Sequence, residues 1–189
     1  MLVNLQKRYV VPSASLRAFA QNLKRQLRLG NWEFNICFVD DEAIRGLNLA
    51  YLGKDHATDV LSFPWKETAG PILSEPRASA RSREQGGIVN FLGDVVISVE
   101  MARRNAREEG HSALNEIRWL ILHGVLHLLG YDHEKDSGQM INLELELREQ
   151  LGVAGRLAGE RQFKIQNSRF KRQKAKFKRP KAKDKAGAI

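Results

Sequence analysis

The chain has 189 residues, of which 42% are hydrophobic, and it carries a formal net charge of +9 at pH 7. That length and apolar content suffice for one domain with a single core, together with appended segments. The single cysteine, Cys37, excludes an internal disulfide and a cysteine-based zinc cluster. The first residues lack the apolar stretch of a signal peptide, and no run approaches the ~20 apolar residues of a membrane span. We therefore expect a cytoplasmic protein with no membrane partner.

Elements of secondary structure are predicted by the spacing of apolar residues. A first strand is indicated by Val3 and Leu5, and the helix that follows has Ser13 as its N-cap and is stopped by Gly30. Further strands are predicted at residues 34–39, 59–63 and 94–98. Further helices are predicted from Asp40 or Asp41 to about 51, from Ser98 through 106, from Ser112 to 129, and from about 137 to 151. This order favours an α+β fold, a single domain in which a small mixed β-sheet is packed with helices.

Two segments lack such patterns. Residues 66–90 are predicted to be a long flexible insertion, because a loop of that length is uncommon in a compact domain unless it is functional or disordered. Residues 160–189 hold 12 of the 31 Lys and Arg residues and 2 of the 22 acidic residues, a net charge of +10, which leaves 19 basic and 20 acidic residues, a net charge of −1, for the rest. Residues 160–189 have too few apolar residues to fold independently. We predict a domain at residues 1–155 and a disordered basic tail at 156–189.

Three histidines fall within the run HGVLHLLGYDH at residues 123–133. His123 and His127 are four residues apart, so their imidazoles project from one face of a helix. Gly130 can supply the left-handed residue that ends this helix and turns His133 towards the other two. Three imidazoles on a tetrahedral ion leave one position for water, which is the arrangement of a catalytic zinc site. We predict one Zn²⁺ per chain on His123, His127 and His133, held by a central helix that is buried because it is apolar nearly all round.

The reaction class follows from the metal, but the proton acceptor does not. The spacing matches the metal frame of the metzincin peptidases, yet Gly124 occupies the position of their glutamate general base. Bound zinc lowers the pKa of water to about 7 and polarises carbonyl or phosphoryl oxygens, so hydrolysis is expected. The base is then the metal-bound water, Asp132, Glu134 or a residue far away in sequence. Asp132 is interpreted first as a partner that holds a histidine ring, and the catalytic residues stay unassigned.

The run HGVLHLLGYDH closely resembles the signature of the YbeY family, bacterial metal-dependent endoribonucleases that act in ribosomal RNA maturation. LNLAYLGKDHATDVLSFPW (47–65) and LGDVVIS (92–98) resemble the second and third motifs of that family, and the resemblance extends from about residue 3 to 152. It implies an α+β fold, zinc on the three histidines, and cleavage of single-stranded RNA. It also implies roles in 3′-end maturation of small-subunit ribosomal RNA and in ribosome quality control. The expected partner is RNA, either ribosomal RNA or the small ribosomal subunit.

Three features depart from the family pattern. Leu52 stands where the family carries an arginine implicated in RNA cleavage, and a leucine cannot pair with a phosphate. Lys54, Arg45 or an arginine of the insertion then compensates, or catalysis is weakened. The insertion and the basic tail are the other two departures, and we hypothesise that they supply RNA affinity. The candidate RNA-binding residues are Lys54, Arg169, Lys171, Arg172, Lys174, Lys176, Lys178 and Arg179.

Two functions are compatible with these features. The leading interpretation is a zinc-dependent endoribonuclease in ribosomal RNA processing. Leu52 favours the alternative, a ribosome- or RNA-binding assembly factor with a structural metal and weak or no nuclease activity. A peptidase is disfavoured by Gly124. Outside the metal motif, His111 is interpreted as a structural residue, His56 as a surface residue and Trp119 as part of the core.

Overall fold

A computed structural model of the protein describes residues 1–65, 90–133 and 135–153, all of which belong to one compact unit, Met1–Ala154. Three groups of predictions concern residues outside these ranges. They are those for the insertion except Asn90, for Glu134 and for the basic tail. In chain order the elements are β1 (Leu2–Asn4), α1 (Ser13–Gln26), β2 (Trp32–Val39), α2 (Asp41–Leu52), β3 (Val60–Pro64), β4 (Asn90–Ser98), α3 (Val99–Glu108), α4 (Ala113–Leu128) and α5 (Gln139–Gln150). None of these helices combines the length and apolar character that a membrane crossing requires.

The four strands form one mixed sheet in the order β1-β2-β4-β3. β1, β2 and β4 run parallel to one another, whereas β3 lies at the edge and pairs antiparallel with β4. The structure therefore confirms the predicted α+β fold with a small mixed sheet. β4 begins four residues earlier than predicted because Asn90 and Phe91 pair with Trp32 and Glu33 of β2.

Helices cover both faces of the sheet. Successive strand residues point to opposite faces, and on β4 Val95 and Ile97 belong to the main core, whereas Val96 packs with Ile44 of α2 in a smaller cluster. The main core includes most of α4, in which Ile121, Leu122, Val125 and Leu126 have no exposed surface. α4 is thus the central buried helix that its composition predicted, and α2 lies on the other face.

Helix capping was predicted correctly at three of the four named positions. The side chains of Asp40, Ser98 and Ser112 accept hydrogen bonds from the backbone amides of Ala43, Met101 and Asn115. The prediction for Ser13 was wrong. Pro12 precedes the helix and Ser13 is its first residue, where the hydroxyl donates to the carbonyl of Val11. A residue that already has helical backbone angles cannot serve as the extended N-cap.

Two other predicted helix ends differ from the structure. α1 ends at Gln26, before Gly30, because Arg28 turns the chain with a φ of 52°. α5 begins at Gln139, after 137, since the Asp136 carboxylate accepts from the backbone amides of Gly138 and Met140, both at 2.8 Å. That carboxylate satisfies amides that a helix N-terminus leaves without intrahelical partners.

α4 lies close against the sheet at Gly124. A Cβ atom at this position would lie 2.6 Å from Val95 Cγ1 and 3.1 Å from Ser62 Oγ. The Ser62 hydroxyl donates to the Gly124 carbonyl at 3.1 Å. Any side chain at residue 124 would therefore force Val95 or the helix to shift, and this glycine allows the helix that carries His123 and His127 to pack close to the sheet.

Candidate metal centre

The three histidines of the motif lie together at the C-terminal part of α4 and in the turn after it. Their candidate ligand atoms all lie within 4.8 Å of one another. The Nε2 atoms of His123 and His127 are 3.1 Å apart. His123 and His127 are half-buried, whereas His133 is exposed. The group therefore has one side anchored in the core and one side open to solvent.

Local sequence accounts for this convergence. His123 and His127 share a helix face through their four-residue spacing. Gly130 then adopts a φ of 88°. Its amide donates to the carbonyl of His127 at 3.0 Å, and the amide of Tyr131 donates to the carbonyl of Leu126 at 3.1 Å. This pair of bonds is the Schellman arrangement, in which a left-handed glycine terminates a helix. The predicted left-handed turn at Gly130 is thereby confirmed, and it directs the chain back to place His133 beside the helix.

Two of the rings are held in a defined orientation by acceptors at Nδ1. His123 Nδ1 lies 3.0 Å from Glu144 Oε2, and His127 Nδ1 lies 3.0 Å from the carbonyl oxygen of Tyr131. A deprotonated carboxylate and a carbonyl can only accept, so each Nδ1 carries the hydrogen. Each Nε2 then presents a lone pair to the space between the rings, in the orientation that metal-binding histidines adopt.

The electrostatics of the cluster favour a neutral imidazole at His127. Burial, and after it the nearby His123 and His133, lower the pKa of His127 from 6.5 to about 4. The neutral ring is the form that binds metals. With both Nδ1 atoms protonated, two lone pairs face each other across 3.1 Å. A cation at this point would relieve their repulsion.

The donor set fits a zinc ion. Zn–N bonds of about 2.0–2.1 Å place tetrahedral ligand nitrogens roughly 3.3 Å apart, close to the separation of the two Nε2 atoms. Three imidazoles would leave one position of a tetrahedral ion for water. The same nitrogen donors also suit other divalent first-row transition metals, so the donor set selects a class of ions.

Glu144 is a residue of this site that sequence reasoning missed. It lies on α5, it is 8% exposed, and its two oxygens accept from His123 Nδ1 and from the indole Nε1 of Trp119. Burial alone would raise its pKa, but the hydrogen bonds and the nearby Arg148 outweigh burial and lower it. One signal was available: Met140, Glu144 and Leu147 are the buried residues of α5, so an acidic residue lies on an otherwise apolar helix face.

Asp132, the expected histidine partner, has a different set of contacts. Its carboxylate forms an ion pair with Lys135 at 2.9 Å. Its charge also raises the pKa of His127, although by less than burial and the other histidines lower it. The carboxylate that contacts His123 is that of Glu144.

The cationic candidates in and just before the second motif lie on or after α2. Arg45 is engaged by Asp55 through two bonds of 2.6 and 3.0 Å. Lys54 follows the C-cap glycine and is exposed, and Leu52 is 57% exposed. α2 and α4 pack on opposite faces of the sheet, with the edge strand β3 between them. The other candidate RNA-binding residues, 169–179, lie outside the described residues.

A second histidine–glutamate pair lies at the N-terminal end of α4. His111 Nε2 is 3.0 Å from Glu116 Oε2, and Glu116 is completely buried. Neither oxygen of Glu116 has a hydrogen bond of good geometry. Burial raises the pKa of Glu116 to about 7, with His111 and the amide of Asn105 acting against this rise. His111 thus contacts a buried acid, consistent with its interpretation as a structural residue.

Comparison with known sequences decides the family. The sequence profile of the family "Endoribonuclease YbeY" matches residues 3–152. The chain belongs to the YbeY family. The Aquifex aeolicus protein named "Endoribonuclease YbeY" is 44% identical over 135 residues, which are 71% of this chain and 78% of that protein. The protein of the same name from Myxococcus xanthus is 41% identical over 156 residues, 82% of this chain and 47% of its relative.

The fold agrees with this assignment. The solution structure of a Thermotoga maritima protein superposes with a TM-score of 0.52 at 25% identity. The superposition covers 80% of this chain and 89% of the Thermotoga maritima chain. The part of the chain matched to YbeY includes the three histidines, Glu144 and the second and third motifs. The whole predicted tail, residues 156–189, lies beyond the match.

Proposed function

We propose that this chain is a zinc-dependent endoribonuclease that cleaves single-stranded RNA in ribosomal RNA processing, with His123, His127 and His133 as the metal ligands. The observation that supports it most directly is the convergence of three imidazoles, two of which have Nδ1 engaged and Nε2 directed inward. The relatives of this chain from Aquifex aeolicus and Myxococcus xanthus bear the name endoribonuclease. We further propose that the substrate is the 3′ region of small-subunit ribosomal RNA, that the protein serves ribosome quality control, and that it acts in the cytoplasm.

The chain's own residues define what such a site does. A zinc ion held there supplies a Lewis acid that polarises a phosphoryl oxygen and lowers the pKa of water. His127 stays neutral at physiological pH because of its burial, so it is available as a ligand without loss of a proton. His133 is exposed, so this side of the site is accessible to solvent. Gly124 packs against Val95, so no proton acceptor comes from the position that the peptidases use.

The proposal is tested by measuring zinc content and RNA cleavage on the same preparation. We expect about one zinc per chain in the wild type, and cleavage of a single-stranded RNA in preference to a duplex of the same sequence. His127→Ala should lose both metal and cleavage, since two imidazoles remain. His56→Ala, which changes an exposed histidine outside the cluster, is the matched control. Cleavage by His127→Ala at the wild-type rate would contradict the proposal.

Leu52 favours a second candidate function, an RNA-binding assembly factor with little nuclease activity. An exposed apolar side chain stands where the family has its arginine, and Arg45 is already engaged by Asp55. Lys54 is then the exposed cation nearest in sequence. If the wild type cleaves and Lys54→Ala slows cleavage, Lys54 compensates for the missing arginine.

A gain-of-function variant distinguishes the two candidates. If the wild type binds RNA and zinc but is inert, Leu52→Arg should restore cleavage, because an arginine can stabilise charge on a phosphate. Leu49→Arg is the control for added positive charge, since Leu49 is 50% exposed on the same helix. Equal effects of the two substitutions would indicate general electrostatic attraction.

We also propose that the basic tail supplies RNA affinity, because it holds all of the excess positive charge. Binding of single-stranded RNA weakens with salt by a slope of about −0.7 for each phosphate neutralised. A chain that ends at residue 159 should therefore bind more weakly and with a shallower salt slope than the full chain. An unchanged affinity and slope would exclude this role.

A further inference from the structure

We propose that Glu144 is a positioning residue for the metal centre: its carboxylate holds His123 in the tautomer and orientation that present Nε2 to a metal ion. This inference rests on the proposed metal site at the three histidines. It adds a residue on a different helix, α5, to a site whose ligands all come from α4 and the turn after it.

The contact between Glu144 and His123 defines the protonation of the ring. The distance of 3.0 Å between Nδ1 and Oε2 is that of a charge-assisted hydrogen bond in which the ring donates. A ring protonated at Nδ1 keeps its lone pair on Nε2. Without this acceptor the ring can carry its hydrogen on either nitrogen, and only one of the two forms is ready to bind.

Trp119 fixes the carboxylate itself. Its indole Nε1 donates to Oε1 of Glu144, so the two oxygens serve two different donors. The guanidinium of Arg148 lies 5.0 Å from the indole ring centroid and covers the pair from α5. A glutamine has one carbonyl oxygen and two amide hydrogens, and so it cannot accept on both sides as the carboxylate does.

Burial prevents water from replacing the carboxylate. Glu144 is 8% exposed and lies between Met140 and Leu147, which are 0% and 3% exposed on the same face of α5. The acid is therefore anchored by a packed helix, and its position relative to His123 does not depend on a mobile side chain. Loss of such a partner of a metal-binding histidine typically lowers metal affinity by about 10- to 100-fold.

The tautomer provides a test that needs no metal and no activity. In the metal-free full-length wild type, nitrogen-15 NMR should show His123 protonated at Nδ1. In Glu144→Gln the ring should become a mixture of tautomers or invert, because the amide can donate as well as accept. A wild-type ring protonated at Nε2 would overturn the inference, and this measurement does not depend on whether any variant folds.

Zinc affinity provides the second test, by competition with a chromogenic chelator. We expect about 10- to 100-fold weaker binding by Glu144→Gln and a smaller loss by Trp119→Phe, which keeps the carboxylate but removes one of its donors. Glu146→Gln, an exposed position on the same helix, should stay within about twofold of the wild type. Circular dichroism checks that each variant is folded.

The outcomes separate this inference from the proposed function. If the wild type and Glu144→Gln bind zinc equally, the positioning role is wrong and the three-histidine site stands. If the wild type binds no zinc, the proposed function fails, and the positioning role fails with it. Restoration of affinity in Glu144→Asp relative to Glu144→Gln would support a requirement for a carboxylate.

Discussion

α4 is flanked by two histidine–glutamate pairs with the same separation and opposite properties. His111 and Glu116 at its N-terminal end lie 3.0 Å apart, as do His123 and Glu144 at its C-terminal end. The pKa of Glu116 is raised to about 7, whereas that of Glu144 is lowered. Proximity to a histidine therefore does not determine the charge of a buried acid.

The difference arises from burial and from the neighbours of each carboxylate. Glu116 has no exposed surface, its oxygens lack hydrogen bonds of good geometry, and Asp59 and Glu109 add negative charge. Both oxygens of Glu144 accept hydrogen bonds, and Arg148 adds positive charge. One end of the helix thus favours a protonated acid, and the other stabilises a carboxylate beside a proposed metal ligand.

Removing the histidine of each pair should give the largest contrast. His123→Ala should lose zinc entirely, because one of three ligands is absent. His111→Ala should keep about one zinc per chain but lower the free energy of unfolding by roughly 1–3 kcal/mol near pH 8, since a buried acid loses its partner. Zinc content and urea unfolding measure the two effects. Loss of zinc in both variants would show that the two ends are not independent.

The pH dependence of stability should distinguish the two acids. The pKa of Glu116 rises from 4.5 to about 7 on folding, so between these values the folded state retains a proton that the unfolded state has lost. Its contribution to the free energy of unfolding is therefore lost as pH rises from about 4.5 to 7, by at most about 3–4 kcal/mol at 1.4 kcal/mol per pKa unit. Glu116→Gln should remove this dependence.

The measurement is urea unfolding of the wild type and Glu116→Gln at pH 5 and pH 8. From pH 5 to pH 8 the free energy of unfolding of the variant should rise relative to that of the wild type. Contributions from other titrating groups are present in both proteins and cancel in the difference. Glu146→Gln is the exposed control. Parallel pH profiles for the wild type and Glu116→Gln would refute a raised pKa.

A substitution at each end of α4 should lower the free energy of unfolding by a similar, smaller amount, but only one of the two should affect zinc binding. Ser112→Ala removes the N-cap and should cost about 1 kcal/mol. Gly130→Ala places a side chain at a φ of 88° and should cost roughly 1–2 kcal/mol. Only Gly130→Ala should also weaken zinc binding, because that turn directs His133. Equal zinc affinity in both variants would mean that the turn is not required to place His133.

The histidine cluster could be predicted because its determinants are local. Eleven residues contain the helical spacing, the glycine at the turn and the third histidine. Helices and strands were likewise indicated by periodicity, and caps such as Asp40 and Ser98 by residue type. The start of β4 was missed because it depends on pairing with β2, which is distant in sequence. Ser13 was misassigned because serine residues suit both a cap and a first turn.

The partners of the histidines could not be predicted in the same way. Glu144 meets His123 only because α5 folds back onto α4, over a separation of 21 residues. His111 and Glu116 are near in sequence, yet the pKa of Glu116 depends on its burial, on Asn105 and on Asp59, which is distant in sequence. Asp132 was preferred because of its place next to His133, a criterion that contains no information about packing between helices.

Gly124 was interpreted from the sequence as a missing base, and its packing has a consequence for protein engineering. A designer who wished to convert this scaffold into a peptidase by restoring the glutamate would first have to make room for it, because Val95 Cγ1 lies 2.6 Å from where the new Cβ would be. At least a paired substitution such as Val95→Gly would be needed. Conversion of this scaffold into a peptidase would therefore require a change in the packing between α4 and the sheet as well as the substitution of Gly124.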